Sequence, residues 1–214
     1  KTRRQKTLQL YHLSFLSPPP PPPPPSSTVV PPTQTSTLLP LLPQSIHPPL
    51  LRHYPTLLPL QSSVLPVLLS RPQTHTGPRD VVLTSSTGSG KTLCFLLPLL
   101  QDLSSLPDVG LVRAVLILPT VELARQCYDD ASALSPNSCT LLTAAAGLDG
   151  AAARKLRPAL VSTPGPFLSL CVGMERGWLR GLRYLIVDEA DRLLGQRYGG
   201  WLQKVRREIN FAFK

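Results

Sequence analysis

The chain has 214 residues, enough for one sizeable domain and too few for two of ordinary size. Its 22 Lys and Arg against 12 Asp and Glu give a formal charge of +10, which favours polyanionic partners such as nucleic acid or nucleotide phosphates. Cys94, Cys127, Cys139 and Cys171 are far apart with no C-x-x-C pair, which argues against a disulfide framework or a zinc site and for a reducing compartment. No apolar run approaches the roughly 20 residues that span a bilayer, so a membrane partner is not expected.

Two unlike materials are joined between residues 50 and 80. No acid precedes Asp80, and residues 1–79 carry +7 while residues 80–214 carry +3. Of the 26 prolines, 19 lie before residue 79, and eight of them form the unbroken run 18–25. Such a run favours a solvated polyproline II rod; it could dock on an aromatic groove, and a spacer is the preferred reading. Residues 1–50 are therefore expected to be a disordered Pro-rich leader, with a folded domain over 51–214. The acid-free, Ser/Thr-rich leader also resembles an organelle transit peptide, although basic residues are sparse between Lys6 and Arg52. The chain begins with Lys1 rather than Met, as a fragment would.

From residue 80 the pattern alternates between short apolar strands and helices. Val81-Val82-Leu83 reads as a strand, followed by a Gly-rich loop and a helix over 91–104. Ala114 to Leu118 is a second strand, with helical spacing from Val121 to Leu134 after it. Thr140 to Leu142, Ala159 to Val161 and Tyr184 to Val187 are three more apolar runs. Fully apolar strands alternating with helices predict an α/β fold, a parallel sheet covered by helices on both faces. Ligands of such sheets bind beyond the carboxyl ends of the strands, where the polar signatures of this chain fall.

The first signature is Ser85-Ser86-Thr87-Gly88-Ser89-Gly90-Lys91-Thr92. Glycines let a loop curl so that its N–H groups face phosphate oxygens, and the helix N-terminus adds positive partial charge. Lys91 would reach the β and γ phosphates, and the Thr92 hydroxyl would ligate Mg2+. A strand before and a helix after favour this over a Gly/Ser turn with an incidental lysine. The strict pattern has Gly where this chain has Ser85. The second signature is Asp188-Glu189-Ala190-Asp191, 97 residues after Lys91 at the end of an apolar strand. There Asp188 is placed to hold Mg2+, partly through water, and Glu189 to activate the water that attacks the γ-phosphate. A solvated acidic helix start is the plainer alternative for the tetrapeptide alone.

Taken with Pro119-Thr120-Val121-Glu122-Leu123-Ala124 and Ser162-Thr163-Pro164-Gly165, these motifs make the chain resemble the first RecA-like lobe of DEAD-box ATP-dependent RNA helicases over about residues 54–214. The resemblance implies a RecA-like P-loop NTPase lobe with ATP and Mg2+ as cofactors. It implies that Ser86, Thr87, Gly88, Ser89, Gly90, Lys91 and Thr92 bind ATP, with Lys91, Asp188 and Glu189 catalytic. Gln61, in Leu58-Pro59-Leu60-Gln61, would read the adenine edge, since an amide offers a donor and an acceptor together. The aromatic residue of the family about 17 positions upstream is replaced by Gln44. Pro119, Thr120, Glu122, Thr163, Pro164 and Gly165 would contact RNA, and Asp191 would couple the two lobes.

Two departures bear on RNA. Val121 and Pro166 stand where the family has arginines, and two lost cations weaken phosphate binding. The family's glycine pair is blurred, with Gly147 and Gly150 nearby. The long gap after Gln61, Trp201 and the Leu-Pro-Leu-Gln wording look most like the nucleolar branch that assembles the large ribosomal subunit. That likeness implies pre-ribosomal RNA and ribosome-assembly proteins as partners, and a nuclear, nucleolar address; an organelle is the alternative if the leader is a transit peptide. Lys1 to Lys6 is a short basic patch that could serve import. The chain stops 23 residues after Asp191, so the S-A-T motif and the second RecA-like lobe of the family are expected to lie beyond it. The lobe by itself is then expected to hydrolyse little ATP, and a non-catalytic RNA- or partner-binding lobe is the competing reading. Arg176, Arg180, Arg183, Lys204 and Arg207 are read as solvated, and Trp178 and Trp201 as core.

Overall fold

A computed structural model describes residues 33–70, 81–107, 110–143, 156–174, 178–195 and 200–212. The proline run 18–25, the basic patch Lys1 to Lys6, Gly147, Gly150 and Arg176 lie outside the described residues. The described elements begin with β1 (Thr33–Gln34), two 3-10 turns (Thr35–Leu41 and Gln44–Ile46), α1 (His47–His53), β2 (Thr56–Leu57) and α2 (Pro59–Leu69). They continue with α3 (Lys91–Ser104), β3 (Ala114–Ile117), α4 (Val121–Leu134), β4 (Cys139–Leu142), β5 (Ala159–Ser162) and α5 (Pro164–Gly173). The last are β6 (Tyr184–Val187), α6 (Ala190–Gly195) and α7 (Trp201–Ala212).

Strands β3 to β6 form a four-stranded parallel sheet in the order β4-β5-β3-β6. All four residues of β3 and of β5 are buried, the mark of a parallel sheet covered on both faces. The two-residue period of a strand sorts their side chains. Val115, Ile117 and Leu160 pack with Phe167 and Leu170 of α5, Leu193 of α6, and Trp201 and Val205 of α7. Ala114, Leu116, Ala159 and Val161 point the other way, onto Leu96 and Leu99 of α3 and Ala124, Cys127 and Ala131 of α4. Helix α4 has the spacing this needs: Ala124, Cys127, Ala131 and Leu134 recur every three or four residues on its buried face. Trp178 and Trp201 are 9% and 3% exposed, and the Trp201 indole donates to the Leu193 carbonyl at 3.3 Å. Lys204 and Arg207 are exposed, as is Arg180.

The expected leader does not run to residue 50. Leu38, Leu42, Ile46 and Leu50 are all buried, and they pack with Leu57, Leu65 and Leu69 against Leu93, Leu97 and Leu100 of α3. Their spacing of four residues is an apolar stripe. The intervening prolines occupy places that tolerate them: Pro40 is in a 3-10 turn and Pro48 is in the first turn of α1. The Gln101 amide donates to the Leu41 and Leu69 carbonyls and so ties α3 to both ends of this unit.

Val81-Val82-Leu83 is not a strand either. An apolar run becomes one only where a neighbour takes its N–H and C=O groups. Among the described residues the sheet ends at β6, no strand pairs with 81–83, and Val82 is 87% exposed.

Two carboxylates are drawn inward. Asp102 of α3 is 2% exposed and faces Arg183, with Nε 3.4 Å from Oδ2, and the Tyr184 hydroxyl. Asp130 of α4 accepts from the Tyr54 hydroxyl at 3.0 Å and so fastens the α1 end to α4. Burial, and then the adjoining carboxylate, push both phenols up to about 12. All four cysteines are buried thiols. Among the described residues no helix is long and apolar enough to cross a membrane.

Candidate functional site

The phosphate-loop sequence, Ser85 to Thr92, follows a segment without regular secondary structure and runs into α3, whose first residue is Lys91. Gly88 and Gly90 have φ of +81° and +82°, a region that side-chain-bearing residues rarely enter. Gly90 is constrained a second way. A Cβ placed on it would lie 2.2 Å from Nε2 of Gln61 and 2.9 Å from Cδ1 of Leu58. The Lys91 ammonium donates to the carbonyls of Ser85 at 3.0 Å and Ser86 at 2.9 Å. The hydroxyls of Ser85 and Ser89 share a hydrogen bond of 2.7 Å.

Gln61 sits in the first turn of α2 and is 4% exposed. Its Oε1 accepts from the Leu58 N–H at 2.8 Å, and its Nε2 donates to the Gly90 carbonyl at 3.1 Å. The amide therefore caps its own helix and reaches the residue before Lys91. One Nε2 hydrogen and one Oε1 lone pair remain for a base edge.

The other motifs leave the sheet from one row of its register. Ile117 of β3 lies opposite Ser162 of β5 on one side and Val187 of β6 on the other. The Leu118 N–H donates to the Ser162 carbonyl at 2.9 Å, and the Asp188 N–H to the Ile117 carbonyl at 3.1 Å. Just past this row come Pro119 and Thr120, then Thr163, Pro164 and Gly165, then Asp188 and Glu189. Thr120 caps α4 by accepting from the Leu123 N–H at 3.3 Å. Glu122 lies in the first turn of α4; a hydrogen bond from its own backbone, then one from Thr120, lower its carboxyl pKa. Thr163 precedes α5 and is 9% exposed, Pro164 is the first residue of α5, and Gly165 is exposed.

Asp188 is half-buried, and burial is the largest effect raising its pKa. The Glu189 charge also raises it, while the Glu189 N–H, 3.0 Å from Oδ1, and the positive charge of Lys91 lower it. The loop lysine and the strand-end carboxylate are thus close enough to interact. Glu189 holds φ at +46°, a conformation costing of order 1 kcal/mol in a residue with a Cβ. Its carboxylate pairs with Arg192 at 3.2 Å. Asp191 is exposed in the first turn of α6.

Among the described residues no three His, Cys, Asp or Glu side chains gather into a metal cage. The hydroxyl of Thr92 and the carboxylate of Asp188 are instead hard oxygen donors of the kind Mg2+ takes when phosphate oxygens and waters complete its shell. The residue types fit that ion.

Two features were not read from the sequence. Ser85 takes part in closing the loop, although its hydroxyl is visible as the departure from glycine at that position. Tyr54 bonds to Asp130 across 76 positions, a contact without a local signal.

A parallel sheet with a Gly-rich phosphate loop at a helix start and acids at a strand end defines an α/β lobe of the P-loop class. The DEAD/DEAH box helicase family model matches residues 58–213, and the chain belongs to that family. It is 32% identical over 173 residues to the ATP-dependent RNA helicase DDX51 of Danio rerio, covering 71% of this chain and 26% of that protein. It is 36% identical over 156 residues to the ATP-dependent rRNA helicase rrp3 of Aspergillus terreus, covering 70% of this chain and 33% of that one. The chain thus spans about a quarter to a third of the length of these curated relatives. Among solved structures it resembles Mss116p bound to single-stranded RNA and AMP-PNP, with a TM-score of 0.65 and 27% identity over 84% of this chain and 37% of that chain. It also resembles a DEAD box protein from the hyperthermophile Methanococcus jannaschii, with a TM-score of 0.59 and 25% identity over 80% of this chain and 45% of that chain.

Proposed function

We propose that this chain is the ATP-binding lobe of a DEAD-box RNA helicase that couples ATP binding and hydrolysis to remodelling of RNA or ribonucleoprotein in ribosome biogenesis. The observation that carries the reading is convergence: the segments after β3, β5 and β6 leave one row of the sheet, and Lys91 is near enough to Asp188 for its charge to act there. In this mechanism Lys91 exchanges the carbonyls of Ser85 and Ser86 for the β and γ phosphates of ATP, and the loop N–H groups from Ser86 to Lys91 line the phosphate chain. Thr92 and Asp188 would hold Mg2+, partly through water, and the ion when bound would offset charge on the phosphate oxygens. Glu189 takes a proton from the attacking water at its carboxylate; the new bond joins that water oxygen to the γ-phosphorus as the bond to ADP breaks. Gln61 selects adenine with its remaining donor and acceptor. Pro119, Thr120, Glu122, Thr163, Pro164 and Gly165 form the RNA face, and Asp191 couples to a second RecA-like lobe.

The substrate of this reading is pre-ribosomal RNA, with ribosome-assembly proteins as partners and the nucleolus as address. The support is the similarity to rRNA helicases and the basic charge of the chain. The test is competition against a fluorescent ATP analogue with Mg2+ present. ATP is expected to displace the probe about tenfold better than GTP, and Gln61→Ala to narrow that ratio; equal displacement by both nucleotides in the unaltered chain would sink the adenine-selective reading.

A second reading, a non-catalytic RNA- or partner-binding lobe, is favoured by Val121 and Pro166. Both lie in the first turn of a helix, Val121 exposed and Pro166 partly exposed, so an arginine at either can extend its guanidinium into solvent. Binding of single-stranded RNA by V121R/P166R is expected to tighten, and the slope of log affinity against log salt to steepen by about 0.7 for each phosphate regained. An unchanged slope would mean that these two helix starts do not face the RNA backbone.

A further inference from the structure

The phosphate loop is tied shut from two directions. The Ser85–Ser89 hydroxyl bond of 2.7 Å joins its first position to its fifth. The Lys91 ammonium, the group a triphosphate needs, gives two of its three donors to the carbonyls of Ser85 and Ser86 at 3.0 and 2.9 Å. Ser85 and Ser89 are half-buried while Ser86, Thr87 and Gly88 between them are exposed, so the bridge is partly shielded from solvent. A glycine at the first position, as in the strict loop pattern, has no hydroxyl and cannot make this bond.

We propose that Ser85 is a positioning residue that sets nucleotide affinity, its bond to Ser89 holding the loop in a closed form from which Lys91 must be released before a nucleoside triphosphate is gripped. The two ties support each other. The bridge keeps residues 85 and 86 curled, which aims their carbonyls at Lys91, and Lys91 in turn holds those carbonyls in place. A ligand whose phosphates need the same ammonium binds only the fraction of molecules in which the ties are open, and its apparent affinity falls by that fraction. The inference rests on the nucleotide-binding reading and concerns how that same site is regulated.

Removing a hydroxyl–hydroxyl bond of ordinary strength shifts such an equilibrium by about three- to tenfold. Ser85→Ala is therefore expected to bind Mg2+–ATP about three to ten times more tightly, through faster association at an unchanged dissociation rate, and Ser85→Thr to stay within about twofold of the unaltered chain. Independently of any ligand, the backbone amides of residues 86–90 are expected to exchange with solvent deuterium faster in Ser85→Ala. Ser89→Ala, which breaks the same bridge from its other end, should show the same faster exchange. Equal exchange in all these proteins, or nucleotide affinity unchanged or weakened in Ser85→Ala, overturns the proposal. If no protein of the set binds nucleotide, the functional reading fails, and the exchange rates by themselves still decide whether the bridge closes the loop.

Discussion

Replacing Lys91 by alanine is expected to weaken Mg2+–ATP binding by about 10- to 100-fold, with thermal stability lowered by about 1–3 kcal/mol. Two opposed effects set this result. The ammonium donates to the carbonyls of Ser85 and Ser86, and its loss loosens the loop, which by itself favours ligand entry. Only the ammonium is charged in these contacts, and both lie near solvent, where water replaces a lost bond, so each contributes about 0.5–1.5 kcal/mol. With ATP bound, the same ammonium faces phosphate oxygens, and hydrogen bonds between charged groups are worth about 1.5–3 kcal/mol each. Two such bonds exceed two of the weaker kind, so affinity falls. Lys91→Arg keeps the charge but replaces a compact ammonium with a longer planar fork, and should land between the two. Titration with a fluorescent ATP analogue reads all three proteins. Binding within twofold of the unaltered chain in Lys91→Ala would place the affinity elsewhere and remove the basis for calling this segment a phosphate loop.

What the sequence makes legible here depends on whether a local pattern suffices. Helices α3 and α4 could be read to their ends, because Lys91 follows a Gly-rich turn and Thr120 supplies a cap. Strands β3, β5 and β6 could be read as apolar runs stopped by polar motifs, and those motifs are the candidate site. The contacts that required other parts of the chain could not be read. The Gln61 amide looks free for a base edge in the sequence, but half of its capacity goes to Leu58 and to Gly90, 29 residues away. Val81 to Leu83 has strand composition and, among the described residues, no strand beside it. Residues 33–50 mislead for a different reason. Proline density and the lack of acids argue for a chain that cannot fold, yet a leucine or isoleucine every fourth residue outweighs them once α3 provides a surface to bury against.

That last point has a measurable size. Leu50→Ala is expected to cost about 2–5 kcal/mol, which in a domain of this length lowers the melting temperature by roughly 5–15 °C. Leu50 is 0% exposed and sits among Leu38, Ile46, Leu65 and Leu97, so truncation leaves a cavity whose walls belong to four separate elements and cannot all collapse onto it. Its neighbour Leu51 is 39% exposed, and Leu51→Ala serves as the control, with a change of no more than about 0.5 kcal/mol. A chain begun at residue 51 would lose the four buried side chains Leu38, Leu42, Ile46 and Leu50 together. At about 1.5–3 kcal/mol each, that loss matches the whole stability of an ordinary domain, and the truncated protein is expected to be unfolded or aggregated. The same loss uncovers Leu93, Leu97 and Leu100 of α3, the helix that begins at Lys91, so the segment before residue 51 also holds the phosphate loop's helix in place. Circular-dichroism melts of Leu50→Ala and Leu51→Ala decide the matter. Equal melting temperatures for the two would show that residues 33–50 stand outside the cooperative unit and would restore a domain boundary at residue 51.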